Sequence, residues 1–360
     1  MTNNSRRNFL KQAGVGIVGA YVGTSFLSSC SSNSISKGTG PFANIGLQIY
    51  SLRDLLFQDP KLTLETVAKI GYSHIETFGV DVANNSFWGM KIPELKKYLA
   101  DINLSTHSGH YDMSKYLDPK STDKESIERY IEIAQELGQQ YVVAPVTPMH
   151  DLNNLQADDY KYAAEQLNKA GELAKKAGLT IGYHNHFWEF REFANGTKGL
   201  DILLAFTEPE LVTFELDMYW ITKAGLTAES YFKKYPGRFA MWHVKDMDKA
   251  HAEPIVGKEY DQLSLDSIFN KIKYTEVGTG AIDYTLLRES EKESGLKLAF
   301  VEQDDIYMPN KFESVKQSYA YVVFNNVEND FAIYSCHIIN HATLKVNFYS
   351  PSYCSAYATI

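Results

Sequence analysis

The stretch ADDYKYAAEQLNKAGELAKKAG (residues 157–178), running straight into LTIGYHNH (179–186), decides the fold. Its first part has helical composition, ends on the basic turn Lys175-Lys176 and stops at Gly178. A basic last turn meets the negative end of the helix dipole, and a glycine accepts the left-handed turn that follows. The second part is short and apolar, and it finishes in polar residues, which predicts a buried strand ending at a site. Outward from this pair the same unit recurs. Strand-like runs fall at Ile45–Leu52, His74–Gly79, Ser105–His110, Tyr141–Val146, Thr180–His186, Thr213–Trp220, Phe239–Asp246 and Leu298–Asp304, eight in all. Helical segments at Leu62–Gly71, Asp123–Gly138 and Ala157–Gly178 lie between them, another starts at Pro93, and a last one over about Lys311 to Asn325 closes the series. Alternating strands and helices imply parallel strands with right-handed crossovers, and eight such units predict a single α/β domain, a (β/α)8 TIM barrel. An open dinucleotide-binding sheet would place a glycine-rich loop after its first strand, where this chain has Ile49-Tyr50-Ser51-Leu52-Arg53.

The 360 residues divide into an expected leader (1–30), a tether (31–43), the barrel (44–326) and an atypical tail (327–360). Ser5-Arg6-Arg7-Asn8-Phe9-Leu10-Lys11 has the form of a twin-arginine export motif. The apolar stretch Gly14–Leu27 is too short for a membrane span, and Leu27-Ser28-Ser29-Cys30 reads as a lipobox with Cys30 as the lipidated residue. The expectation is export by the twin-arginine route and a periplasmic location, with membrane contact only through a lipid anchor. The other two cysteines, Cys336 and Cys354, lie in the tail, so the barrel has neither a disulfide framework nor thiolate ligands. The formal charge of −9 argues against nucleic acid as a partner. Residues 331–360 carry a single charged side chain, Lys345, and are expected to be peripheral.

In such a barrel the working residues come from the C-terminal ends of the strands, and inward positions recur every second residue. Polar residues collect there: Gln48 and Tyr50, Glu76, His107 and His110, His184 and His186, Glu215 and Asp217, His243 and Lys245, Glu302 and Asp304. A charge or imidazole inside an apolar barrel is costly unless it is paired or binds metal. His184, Asp217, His243 and Glu302, on the last four strands, would converge on one point. Two imidazoles and two carboxylates suit Mn²⁺, Zn²⁺, Co²⁺ or Fe²⁺ better than Mg²⁺ or Ca²⁺. Trp88, Trp188 and Trp220 fall on the rim side, where flat apolar rings suit the faces of a sugar. Together with Gln48, Glu76, His107 and Glu215 they are the candidate substrate contacts.

These residues resemble the xylose isomerase-like barrel superfamily of sugar phosphate isomerases and epimerases. The likeness is carried in order by residues 46–53, Ile75-Glu76-Thr77-Phe78-Gly79, Tyr183-His184-Asn185-His186, Leu216-Asp217-Met218-Tyr219-Trp220, Trp242-His243-Val244-Lys245-Asp246, residues 277–283 and Val301-Glu302. It implies one divalent ion, Mn²⁺ first, held by residues from the last four strands, and a habit of dimer formation. Asp217, His243 and Glu302 match the family ligands, whereas His184 stands where many epimerases have Glu. That departure removes one of the two opposed carboxylate bases and leaves Glu302 as the base. His110, His186 and Lys245 then become candidates for the second acid, with Lys245 also an electrophile on a substrate oxygen. No basic or glycine-rich cradle for a phosphate stands out, so the expected substrate is a non-phosphorylated sugar or keto-sugar. The first expectation is a metal-dependent isomerase or epimerase. The second is a lyase or hydratase on 3-keto-glycosides or inosose-like substrates, and the third a non-catalytic sugar-binding lipoprotein. A metal-dependent endonuclease would want a basic DNA face, which the acidic charge opposes.

Overall fold

The computed structural model describes residues 40–146, 154–260 and 263–324. The expected leader with Cys30, most of the tether and the tail lie outside the described residues. Eight parallel strands close into a barrel: β1 Gly46–Gln48, β2 His74–Thr77, β3 Ser105–His110, β4 Tyr141–Ala144, β5 Thr180–His184, β6 Val212–Asp217, β7 Met241–Val244 and β8 Leu298–Val301. Each pairs with its sequence neighbours, and β1 closes on β8 through Gly46–Phe300 and Leu47–Val301.

Most strands are shorter than the sequence runs, for a local reason. After Gln48 the chain turns into a one-turn 3-10 helix, Ile49–Leu52, whose Tyr50 N–H is capped by the Gln48 side chain. After Asp217 it enters the helix Met218–Lys223, where Asp217 Oδ1 accepts the Trp220 N–H at 2.9 Å. A polar residue at the end of a strand thus doubles as the cap of the next helix, and an apolar run is split in two. The helices lie where expected with ends shifted by up to four residues: Pro60–Ile70, Ile92–Asp101 with proline in its first turn, Ile127–Leu137 capped by Ser126, and Ala157–Lys176. Residues 311–324 are helical. Phe42, assigned by the sequence to the tether, is buried edge-on against Trp242 with the Arg288 guanidinium over its face, so the ordered domain starts earlier than composition suggests.

Inside the barrel the side chains form layers. At the N-terminal end Val143, Met241 and Phe300 pack together, and glycines at 46 and 182 make room for them. A Cβ on Gly46 would lie 2.6 Å from the Phe300 ring, and one on Gly182 2.8 Å from Val143. The next positions inward, two residues along, are polar on most strands: Gln48, Glu76, His184, Glu215, His243 and Glu302 are buried, while Pro145 follows Val143 on β4. Above them stand Asp217, Lys245 and Asp304. The site is therefore built by strand periodicity on rigid elements.

Candidate metal centre

The expected ligand set comes together. Donor atoms of His184, Asp217, His243 and Glu302 all lie within 4.8 Å of one another, and the four residues are buried. Asp217 Oδ2 is 3.8 Å from His184 Nε2 and 4.0 Å from His243 Nδ1. Donors bound roughly 2.0–2.2 Å from one ion are separated by such spans. The orientation of Asp217 is fixed from behind: Oδ1 caps the following helix, its backbone N–H donates to Asn185 Oδ1, and the buried Oδ2 is left facing the Lys245 ammonium at 2.9 Å. Burial raises the Asp217 carboxyl to about 6 against the opposing pull of Lys245 and His243. Burial also drives His184 well below the ordinary histidine value, aided by the neighbouring His243, so it is a neutral, ligand-ready imidazole.

A second group of potential donors lies beneath: His110, His184, Glu215 and His243. Its geometry is that of a hydrogen-bond hub. Glu215 Oε2 lies 2.8 Å from His110 Nε2, 3.1 Å from His184 Nδ1 and 3.0 Å from His243 Nε2, so an oxygen already stands where an ion would have to sit. Glu76 Oε2 joins the same layer, 2.8 Å from His243 Nε2 and 3.2 Å from His110 Nε2, and accepts from Gln48 Nε2 at 2.7 Å. Burial alone would lower His110, but Glu76 and Glu215 overcome it and hold the imidazole up at about 9, a cation at neutral pH. In the upper group the two carboxylates already face a cation, the Lys245 ammonium, and it is this group whose donors fit a divalent ion.

Lys245 lies along the open side of that group. Its ammonium is 2.9 Å from Asp217 Oδ2, 2.7 Å from Glu302 Oε2 and 2.9 Å from Asp304 Oδ2, and 5.6 Å from the centre of the Trp220 ring. Burial would raise the Glu302 carboxyl, yet Lys245 and His243 hold it well below the usual range, and it is ionised. The residue after Lys245 keeps the strand end in place. Asp246 accepts backbone N–H groups from Met247, Gly278, Gly280 and Ile282, while Tyr284 Oη donates to Lys245 O.

A cavity of about 310 Å³ opens above the cluster at the C-terminal ends of the strands, lined by Tyr50, Phe78, His110, Asp112, His184, His186, Lys245, Glu302 and Asp304 among others. His186 lines it with a buried Nδ1 that has no hydrogen-bond partner, while Trp188 stacks on its ring at 4.3 Å. Glu189, fully buried, accepts from Tyr183 Oη and from the His186 N–H, which fixes this turn.

Several sequence-predicted substrate contacts sit elsewhere. Gln48, Glu76 and Glu215 are fully buried below the ligands and bond to one another's partners. Trp88 lies behind Phe78, to whose carbonyl its indole N–H donates at 3.1 Å, and Trp188 and Trp220 back His186 instead of lining the cavity. His107 is at the other mouth: it lines a cavity among the strand starts with Ser73, His74 and Ser105. A β-bulge explains it. Ile75 and Glu76 of β2 face Thr106 and Ser108 of β3, leaving His107 as the extra residue, so it and His110 diverge. Sequence reasoning missed Asp112 and Phe78 in the cavity wall; the three-residue spacing of the two histidines was the available signal for the bulge.

With this geometry in hand, comparison with known proteins places the chain. Residues 64–297 match the family described as xylose isomerase-like TIM barrel. The chain belongs to that family. Similar proteins include an inosose dehydratase of Clostridium perfringens, 32% identical over 130 residues, which are 36% of this chain and 42% of that protein. Another, an inosose dehydratase of Clostridium botulinum, is 25% identical over 252 residues, covering 65% of this chain and 81% of the relative. The chain thus spans less than half of the first relative's length and about four-fifths of the second's. Among solved structures, a sugar phosphate isomerase/epimerase from Parabacteroides distasonis superposes with a TM-score of 0.62 at 27% identity, over 77% of this chain and 92% of that one.

Proposed function

We propose that this xylose isomerase-like barrel is a divalent-metal-dependent enzyme that removes the proton beside the carbonyl of an unphosphorylated keto-sugar or keto-polyol and expels the oxygen substituent one carbon further on. The observation that carries this reading is the asymmetry of the cavity. Among the described lining residues one carboxylate, Glu302, belongs at once to the ligand group and to the cavity wall, and the Lys245 ammonium lies 2.7 Å from it. A racemising proton transfer needs a base on each face of the substrate, whereas an elimination needs one base and an acid for the leaving oxygen.

The bound ion would be held by His184, Asp217, His243 and Glu302, and would supply stabilisation of the negative charge that develops on the substrate's carbonyl oxygen. Glu302 takes the C–H proton. The C–H pair moves into the new C=C bond as the bond to the β-oxygen breaks. Lys245, beside Asp304, or the His110 imidazolium gives that oxygen its proton, so the products are an enone and water or an alcohol. His186 and Asp112 orient hydroxyl groups from the other wall. Lys245 is paired to three carboxylates and the remaining polar lining is acidic, imidazole or the Tyr50 phenol, a setting that disfavours a phosphate group.

A second reading, isomerisation through an enediolate with the same base, is favoured by the Parabacteroides neighbour's name. Product mass separates them: the metal-loaded protein is incubated with an inosose and with 3-keto-glucosides, and the products are weighed. Loss of water or aglycone supports elimination. Conserved mass with a new isomer supports the second reading, and binding without conversion in metal-free protein would favour a sugar-binding lipoprotein. The proposal includes export and anchoring through Cys30.

A further inference from the structure

Glu215 has the composition of a catalytic residue and the location of something else. It is 0% exposed and is absent from the cavity lining, so no substrate touches it. It is level with His184 and Met241 in the registers of its two neighbouring strands, which aims one oxygen at the undersides of His184 and His243. That oxygen lies 3.1 Å from His184 Nδ1 and 3.0 Å from His243 Nε2, while the opposite nitrogens face the ligand carboxylates: His184 Nε2 is 3.8 Å from Asp217 Oδ2, and His243 Nδ1 is 2.6 Å from Glu302 Oε2 and 4.0 Å from Asp217 Oδ2. A neutral imidazole has one N–H and one lone pair, and a carboxylate beside one nitrogen keeps the proton there.

We propose that Glu215, seconded by Glu76 on His243, is the positioning residue of the metal centre: by accepting the Nδ1–H of His184 and the Nε2–H of His243 it obliges the two imidazoles to ligate through opposite nitrogens, His184 through Nε2 and His243 through Nδ1. With an ion engaging Glu302 and Asp217, the reversed tautomers would point a lone pair at Glu215, and for His243 also at Glu76. One oxygen thereby sets both ring orientations, and its charge strengthens both nitrogens as ligands. The inference rests on the metal-dependent reading above and deepens it.

The test uses the full barrel chain stripped of metal and titrated with Zn²⁺ against a competing chelator. Wild type is compared with Glu215→Gln, whose amide keeps the shape without the charge. The expected result is an affinity loss of about 10–100-fold, with the circular dichroism spectrum unchanged. Wild-type affinity in Glu215→Gln overturns the inference while leaving the metal reading standing. A wild type that takes up no ion overturns the metal reading, and this inference with it. Should Glu215→Gln fail to fold, long-range ¹⁵N–¹H spectra of the Zn²⁺-loaded wild type decide. Ligation by His184 Nε2 and His243 Nδ1 is expected, and ligation by the other nitrogen of either ring is fatal to the proposal. A merely structural Glu215 would not dictate that choice.

Discussion

Lys245 Nζ and Glu302 Oε2 stand 2.7 Å apart with both side chains buried, so the base of the proposed reaction is held in direct contact with a cation. Asp217 and Asp304 lean on the same ammonium at 2.9 Å each. Replacing Lys245 with Met leaves these carboxylates facing each other. Removing one partner of a buried ion pair costs about 3–5 kcal/mol, and we expect a loss of that order in chelator. Saturating Mn²⁺ should return much of it, because the ion faces the same carboxylates. Denaturant unfolding with and without metal measures both; equal stability of the variant in the two conditions would refute the shared-cation account.

Glu302→Gln removes the proton acceptor and keeps the volume. Turnover should fall by about 10²–10⁴-fold while the far-ultraviolet spectrum stays that of the wild type. An active Glu302→Gln enzyme would remove Glu302 as the base. Asp217→Asn acts earlier, at metal uptake, since Asp217 Oδ2 is a charged donor of the group that the amide replaces with a neutral one. Elemental analysis of the purified variant should show depleted metal.

Glu189 links the site to pH. Burial raises its carboxyl from 4.5 to about 7 in spite of the hydrogen bonds from Tyr183 and the His186 N–H. Between those values the folded chain holds the proton more tightly than the unfolded chain does. Stability from this group is therefore greatest below pH 4.5, falls as pH rises through the window and is fully lost above about 7. The loss is on the order of 3 kcal/mol. Glu189→Gln, whose flipped amide can serve both partners, should flatten that part of the curve of Tm against pH relative to wild type. Parallel curves would contradict the burial argument.

How much of this was legible in the sequence follows from what each residue depends on. His184, Asp217, His243 and Glu302 could be read because a strand's period of two and its C-terminal end fix where they point. The depth of Glu76 and Glu215 could not be read. An inward carboxylate looks the same in sequence whether it ends at the cavity or one layer below, and the layer depends on how far each strand is staggered against its neighbours. His107 was misplaced because a one-residue bulge in β3 reverses facing, and nothing local marks it apart from the spacing to His110. The tryptophans are rim residues by chain position, but Phe78 and His186 reach the cavity first.

The proposed exported, anchored location has its own test. In cells, Cys30→Ser should move the protein from the membrane pellet to the soluble fraction, and Arg6→Lys with Arg7→Lys should retain it in the cytoplasm. A soluble wild type would end the lipoprotein reading.

Gly280 is a steric test of the strand-end support. A Cβ there would lie 2.1 Å from Asp246 Oδ1 and 2.4 Å from Met247 O, and backbone on one side cannot give way. Gly280→Ala should cost about 1–3 kcal/mol by overpacking and also lower turnover, because the loop it displaces is bonded to the residue beside Lys245. Thermal unfolding and turnover measured on the same sample report the two effects together.

The Asp246 anchorage also separates the barrel's history from its chemistry. Asp246–Met247 and Tyr274–Thr275 run side by side as a short antiparallel stem, and Asp246 ties the chain down again at 278–282. Whatever lies beyond the stem enters and leaves at one narrow neck. Descendants of this chain could lengthen or shorten the segment after Gly257 while Lys245 stayed where it is, which makes the excursion a natural graft point.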